Sequence, residues 1–322
     1  NHWLLAWLGL ELNTLSILPI MSKYHHPRMT EATTKYFIIQ ATAAATILFA
    51  SAANAWQTGQ WSITELNNTT TSTLITSAIM LKLGLAPVHL WYPEILQGST
   101  MYTAMIISTW QKLAPLTLLY MMHNNLSTTM LLALGMTSAL TGGLTGLNQT
   151  QTRKIMAFSS IAHMGWLIVA LSMNTQLTTL TMFTYIITTI AMFSALTTTM
   201  TKTTHDAGTA WATSPALTLT MMVTLLSLGG LPPLTGFMPK WLIIKELSSV
   251  NLLPLGLGLL MASLPSLYFY TRIAYLTMLT TPPTTTTMKL KWRFTPLTPT
   301  MTPTMTAATL LLPMAATLYN TT

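Results

Sequence analysis

From end to end this chain repeats one pattern, apolar runs long enough to cross a bilayer joined by links too short to fold alone. About twenty apolar residues in a helix, rising ~1.5 Å each, cover the ~30 Å of a hydrocarbon core. Such runs fall at residues 2–22, 32–55, 72–92, 99–121, 127–148, 154–173, 177–200, 214–247, 252–279 and 303–320. Ten membrane segments in a single membrane domain, residues 1–322, are therefore expected. The chain is 51% hydrophobic and 6% charged, where a soluble domain carries about 25% charged residues, so an all-α polytopic membrane protein is the fold class.

The function classes that composition removes are specific. The net charge is +8, but the basic residues stand singly between apolar runs and form no patch that could track phosphates, which excludes nucleic acid as a partner. Cysteine is absent, so disulfides, thiol nucleophiles, thiolate metal sites and cysteine-ligated iron–sulfur clusters are excluded. No H-x-x-H or HExxH spacing suggests a metal, and no glycine-rich loop follows a strand to cradle a nucleotide. Gly142, Gly143 and Gly146 lie within a membrane segment, where small residues let helices approach. The chain starts at Asn1 inside an apolar run without an initiator methionine, and is expected to be a fragment.

The links carry the turn residues, at His25-His26-Pro27-Arg28, Asn67-Asn68, His123-Asn124-Asn125, Asn148-Gln149 and the tract from Thr280 to Thr287. Numbered in order, they alternate between the two sides of the membrane. Ten of the 14 basic residues (Lys23, Arg28, Lys35, Arg153, Lys154, Lys202, Arg272, Lys289, Lys291 and Arg293) lie in or beside odd links. By the positive-inside rule these links face the cytoplasm-equivalent compartment.

The other four basic residues, Lys82, Lys112, Lys240 and Lys245, lie within predicted spans, as does Glu11. Lys245, beside Glu246 near a segment end, is expected to snorkel to the interface. Lys82, Lys112 and Glu11 are near mid-depth, where a charge is costly and marks a functional site by default. Burial makes a lysine readier to give up its proton, and a nearby carboxylate restores its charge. Glu11, Lys82, Lys112 and Lys240 are thus candidates for a lateral proton-handling line, with threonine hydroxyls and His89 between them. His89 is either a relay or a partner for carbonyls freed at Pro87. His163, among small residues, is either a relay or a packing residue.

Two stretches break their helices in the same way. Gly84, Pro87, Trp91 and Pro93 follow Lys82, and Gly229-Gly230, Pro232-Pro233, Pro239 and Trp241 surround Lys240. Counting spans, the third and eighth segments cross in opposite directions. Paired broken helices of opposite polarity mark inverted-repeat transporters, where unwound backbone and buried charge line a mid-membrane path.

Gly9-Leu10-Glu11, Met80 to Pro87 with His89 and Trp91, Trp110 to Pro115, Gly146 to Gln151 with Arg153-Lys154, Ser159-Ser160-Ile161 with His163 to Trp166, and Leu226 to Phe237 with Pro239-Lys240-Trp241 closely resemble the subunit 2 family of animal mitochondrial NADH dehydrogenases. The resemblance runs from residue 1 to the last helix. It implies an antiporter-like proton-channel subunit in the membrane arm of respiratory complex I, in the mitochondrial inner membrane, with odd links toward the matrix. It further implies that the family's buried functional charges are Glu11, Lys82, Lys112 and Lys240. Other membrane-arm subunits and the lipid bilayer are the implied partners. NADH, FMN, iron–sulfur clusters and ubiquinone are implied on other subunits, with no cofactor here. Animal members resemble an antiporter fold shortened to eleven helices, so the first is expected to be missing. Residues 1–121 would form one inverted half, 122–279 the second, and 280–322 a matrix loop and final helix. Two other functions fit a bundle of this kind, an inert membrane scaffold and a self-contained cation/proton antiporter, the latter with only Glu11 as a mid-membrane acid.

Overall fold

The computed structural model describes residues 1–66, 68–212, 215–278 and 301–314, and among them it is a bundle of helices with two isolated bridges, His2 to Ser62 and Gln151 to Thr203. In chain order the helices are α1 (Trp3–Ser22), α2 (Pro27–Thr58), α3 (Thr69–Leu83), α4 (Trp91–Gly98), α5 (Met101–Met122), α6 (Thr128–Gly146) and α7 (Thr152–Met173). They continue with α8 (Thr175–Thr199), α9 (Thr204–Thr209), α10 (Pro215–Gly229), α11 (Phe237–Ser249), α12 (Leu253–Met278) and α13 (Met301–Leu310). The link expected at Thr280 to Thr287, and Lys289, Lys291 and Arg293, lie outside the described residues.

Among the described residues five helices, α1, α2, α7, α8 and α12, are both long and apolar enough to cross a membrane alone. Helices α5 and α6 have the length, 22 and 19 residues. The segment expected at 214–247 is divided into α10 and α11, whereas the one expected at 72–92 stops its helix at Leu83 and resumes as α4, which carries the crossing on to Gly98, beyond the expected boundary. Gly84 ends α3 in the left-handed region at φ 73°, and Gly230 follows α10 at φ 81°. A side chain is strained at such angles, so glycine is the residue that lets the helix stop there. The prolines that follow, Pro87 and the Pro232-Pro233 pair, lack the N–H a continued helix would need. A short helix not expected from the sequence, α9, is opened by a capping box in which Thr203 and Asp206 bond each other's backbone N–H.

Contacts between helix ends fix the direction of each crossing. At one end the backbone of Arg28, entering α2, lies against Gly98 at the end of α4. There Arg153, entering α7, donates to the Ser99 carbonyl. Thr152 N–H donates to the Lys202 carbonyl at 3.1 Å, and Arg272 donates to the Leu147 carbonyl at 3.0 Å. At the opposite end Trp3 N–H donates to the Trp61 carbonyl at 3.0 Å, beyond the end of α2. Arg28, Arg153, Lys202 and Arg272 therefore share one end of the bundle, as the alternation of links requires. The α3–α4 pair runs toward that end and α10–α11 away from it, so the broken helices are antiparallel.

The middle is held by close packing. Helix α7 is buried along most of its length. A Cβ on Gly142 would come 2.6 Å from Ala162 N, and one on Gly165 would come 2.5 Å from Ser138 Oγ and 2.7 Å from Gly135 O. Helices α6 and α7 thus meet backbone to backbone, while a Cβ on Gly143 would come 2.8 Å from the Ala262 carbonyl on α12. The expected packing role of these glycines is what the structure shows.

Candidate functional site

Each broken helix sets a lysine beside a buried cavity. The first cavity is lined by Asn13 and Thr14 of α1, Tyr36 and Gln40 of α2, Lys82, Tyr92, and Gln111 and Lys112 of α5 among others. Its water-accommodating volume is about 10 Å³, about what a single water needs. The second is lined by His163 and Trp166 of α7, Thr181, Thr184, Tyr185 and Thr188 of α8, Ser227, Gly236 and Lys240 among others, with about 30 Å³.

Lys82 lies in the last turn of α3 and is 6% exposed. Its Nζ is buried and makes no protein hydrogen bond, while its carbonyl accepts from Gln40 Nε2 at 3.4 Å. Glu11 is half-buried on α1, with Oε2 buried and without a hydrogen-bond partner. It acts electrostatically on Lys82 and Tyr36. No ion pair joins them: among the described residues, contacts within 4.0 Å are Lys35–Glu31 and Lys35–Glu94, at the basic end of the bundle. Beside Lys82 and Lys112 the first cavity holds a cluster of uncharged polar side chains. Asn13 Nδ2 donates to Gln111 Oε1 at 2.9 Å, and Tyr36 OH donates to the same oxygen at 3.3 Å.

Lys112 is 3% exposed. Its ammonium sits between two rings, 4.9 Å from the Tyr92 centroid and 5.1 Å from that of Tyr185, and donates to Tyr185 OH at 3.1 Å. Ring faces hold a desolvated cation by about 2 kcal/mol without taking a proton from it. Lys240 is half-buried on α11. It donates to the Gly229 carbonyl at 2.9 Å and stands 5.9 Å over the Trp166 ring. The helix break supplies that partner, since carbonyls at a helix end lack an intrahelical donor.

His163 lines the second cavity. Its Nε2 lies 3.4 Å from Tyr270 OH and its ring centroid 5.9 Å from that of Tyr185. His89 lines neither cavity. Its Nδ1 is 3.3 Å from the Pro87 carbonyl, where the break frees backbone. Thr181, Thr184 and Thr188 face the second cavity but donate to carbonyls three or four residues back on α8, so their oxygens meet the cavity mainly as acceptors. Lys245 is exposed. Of the aromatic residues that surround two of the lysines, Tyr92, Tyr185 and Trp166, Tyr185 carried no signal in the sequence beyond ordinary hydrophobicity. A tyrosine facing a lysine 73 residues away leaves no local spacing to read.

A family model described as NADH:quinone oxidoreductase/Mrp antiporter, transmembrane, matches residues 1–266. The chain belongs to this family. A second model, described as NADH dehydrogenase subunit 2 C-terminus, matches residues 267–319. The chain is 54% identical over 293 residues to NADH-ubiquinone oxidoreductase chain 2 of Carassius auratus, covering 91% of this chain and 84% of that one. It is 52% identical over 316 residues to the Gallus gallus protein of the same name, covering 98% and 91%. Among solved structures it is similar to a chain of respiratory complex I from Thermus thermophilus, with TM-score 0.84 and 26% identity, over 99% of this chain and 72% of that one. A chain of the Mrp complex from Dietzia sp. shares the fold, with TM-score 0.70 and 17% identity, over 77% of this chain and 51% of that one. The bundle with two antiparallel broken helices is thus the antiporter-like membrane fold of the NADH:quinone oxidoreductase/Mrp family.

Proposed function

We propose that this chain is a core membrane-arm subunit of proton-pumping NADH:ubiquinone oxidoreductase, moving protons across the mitochondrial inner membrane through Glu11, Lys82, Lys112 and Lys240. The observation that carries this reading is the succession of Lys82 and Lys112 on one cavity and Lys240 on the next, with Lys112 bonded to a residue of the second cavity. Electrons reach ubiquinone on other subunits. Quinone chemistry there alters the charge around Glu11 and Lys82, and a change of Lys112 charge passes toward Lys240. Residues 1–121 and 122–279 act as two inverted halves, each contributing one broken helix. The basic end of the bundle faces the matrix.

A scaffold would need no lysines on internal cavities, and the buried Lys82 and Lys112 and the half-buried Lys240 lie on water-sized ones. A self-contained antiporter would need a mid-membrane acidic ion site, for which Glu11 is the acid within a span. The test is Lys112→Met in the assembled complex in proteoliposomes. Fewer protons per NADH oxidised are expected, with the complex still assembled. An unchanged ratio overturns the proposal.

A further inference from the structure

Lys112 lines the first cavity and not the second, and Tyr185 lines the second and not the first. The hydrogen bond from Lys112 Nζ to Tyr185 OH, 3.1 Å, is thus the point where the two meet. The phenol's own proton is directed elsewhere: Tyr185 OH donates to the Ser108 carbonyl on α5 at 2.8 Å. An oxygen that accepts from an ammonium and donates to a backbone carbonyl is a dead end for a proton, because the carbonyl passes nothing on. On the other side of Tyr185 there is somewhere to go. Its ring lies 5.9 Å from that of His163, and Lys240 shares the same water-sized cavity.

We propose that Tyr185 is the gate between the two cavities, closed while its hydroxyl proton rests on the Ser108 carbonyl and open when that O–H swings toward the second cavity. This rests on the reading of Lys112 and Lys240 as proton carriers. In the open arrangement one Lys112 N–H bond breaks as an O–H bond forms on the phenol. The proton the phenol already held passes through a water of the second cavity to Lys240 when that side chain is a neutral amine. Lys112 is left a neutral amine, Lys240 becomes an ammonium, the phenol and the water end neutral and no electron moves. Rotation of the new O–H back to Ser108 restores the closed state. Tyr185 differs from the threonines beside it, whose hydroxyls donate along their own helix, because it donates across to α5. Any shift of α5 against α8 therefore works the gate.

The experiment is Tyr185→Phe in the complete complex in proteoliposomes, beside Lys112→Met. Phenylalanine keeps the ring over Lys112 and His163 and removes the transferable proton. The proton-to-electron ratio is expected to fall to that of Lys112→Met. A normal ratio in Tyr185→Phe beside a lowered one in Lys112→Met overturns the gate and leaves the function standing. A normal ratio in both overturns both. A structural role would not alter the phenol's vibration during turnover, so infrared difference spectra with ring-labelled tyrosine supply the second readout. A turnover-dependent shift of the phenol C–O stretch is expected, and it should be missing from Tyr185→Phe. Should that variant fail to assemble, the labelled native complex still decides: absence of any tyrosine band that changes with turnover overturns the gate.

Discussion

Lys82 carries an ammonium buried at the end of α3 without a hydrogen-bonded partner, and that combination separates its functional role from its structural one. A lysine at the centre of a membrane helix costs about 2.5–3.5 kcal/mol on insertion scales, and Glu11 offsets part of this only at a distance. Methionine matches its length without the charge, so Lys82→Met is expected to leave thermal stability of the assembled complex unchanged or slightly raised while lowering protons pumped per NADH. A fall in melting temperature of several degrees with a normal ratio would instead assign Lys82 to structure. At this scale the sequence was readable wherever a charge stood in an apolar run, which is why Glu11, Lys82, Lys112 and Lys240 were all visible. What surrounds them was not. The Asn13–Gln111 pair and the Lys112–Tyr185 bond join residues 98 and 73 positions apart, and no local spacing pairs residues so far apart.

At the scale of elements, breaks and close packing were legible because glycine and proline act on the backbone where they stand. Gly84 and Gly230 marked where α3 and α10 stop. The glycines of α6 and α7 bear a direct test. A valine at Gly165 would drive its Cβ into Ala139 N and Gly135 O, each 2.7 Å away, and backbone cannot move aside as a side-chain tip can. Overpacking of this kind costs about 1–3 kcal/mol or more. Gly165→Val should therefore reduce the amount of assembled complex on native gels several-fold, with an ordinary proton ratio in what remains. Helix α9 escaped the reading because six residues are too few to show a period. Its Asp206 carboxyl is held below the usual range chiefly by the Thr203 backbone N–H, with burial opposing and the Thr203 hydroxyl and Lys202 N–H assisting. A lowered carboxyl stabilises the folded cap above the unfolded value of about 4, and that contribution disappears as pH falls through the folded value. Amide exchange at Lys202 and Thr203 should accelerate beyond its intrinsic pH dependence on acidification below about pH 4, and Asp206→Asn should abolish that extra response.

For the whole molecule the decisive property is direction. Two broken helices serve an inverted-repeat path only if they cross oppositely, and the sequence could supply this only through a count of spans, in which one error reverses every later helix. The contacts at the basic end remove that dependence: Gly98 meets Arg28, Arg153 meets Ser99, Thr152 meets Lys202 and Arg272 meets Leu147. None of these relies on counting hydropathy peaks. The chain contains no cysteine, so a single introduced thiol is its one labelling site, read after the subunit is separated from the others on a denaturing gel. His26, between α1 and α2 at the basic end, and Gln60, beyond α2 at the other, are both exposed. With a membrane-impermeant maleimide, His26→Cys should react in vesicles that present the matrix side and resist in those that present the opposite side, and Gln60→Cys should do the reverse. Labelling of both from one side would place the ends of α2 together and remove the antiparallel relation of the broken helices, and with it the geometric basis for a path from Lys82 to Lys240. Opposite labelling with His26→Cys outside would keep the path and reverse its sense, because the bundle's basic end would then face away from the matrix.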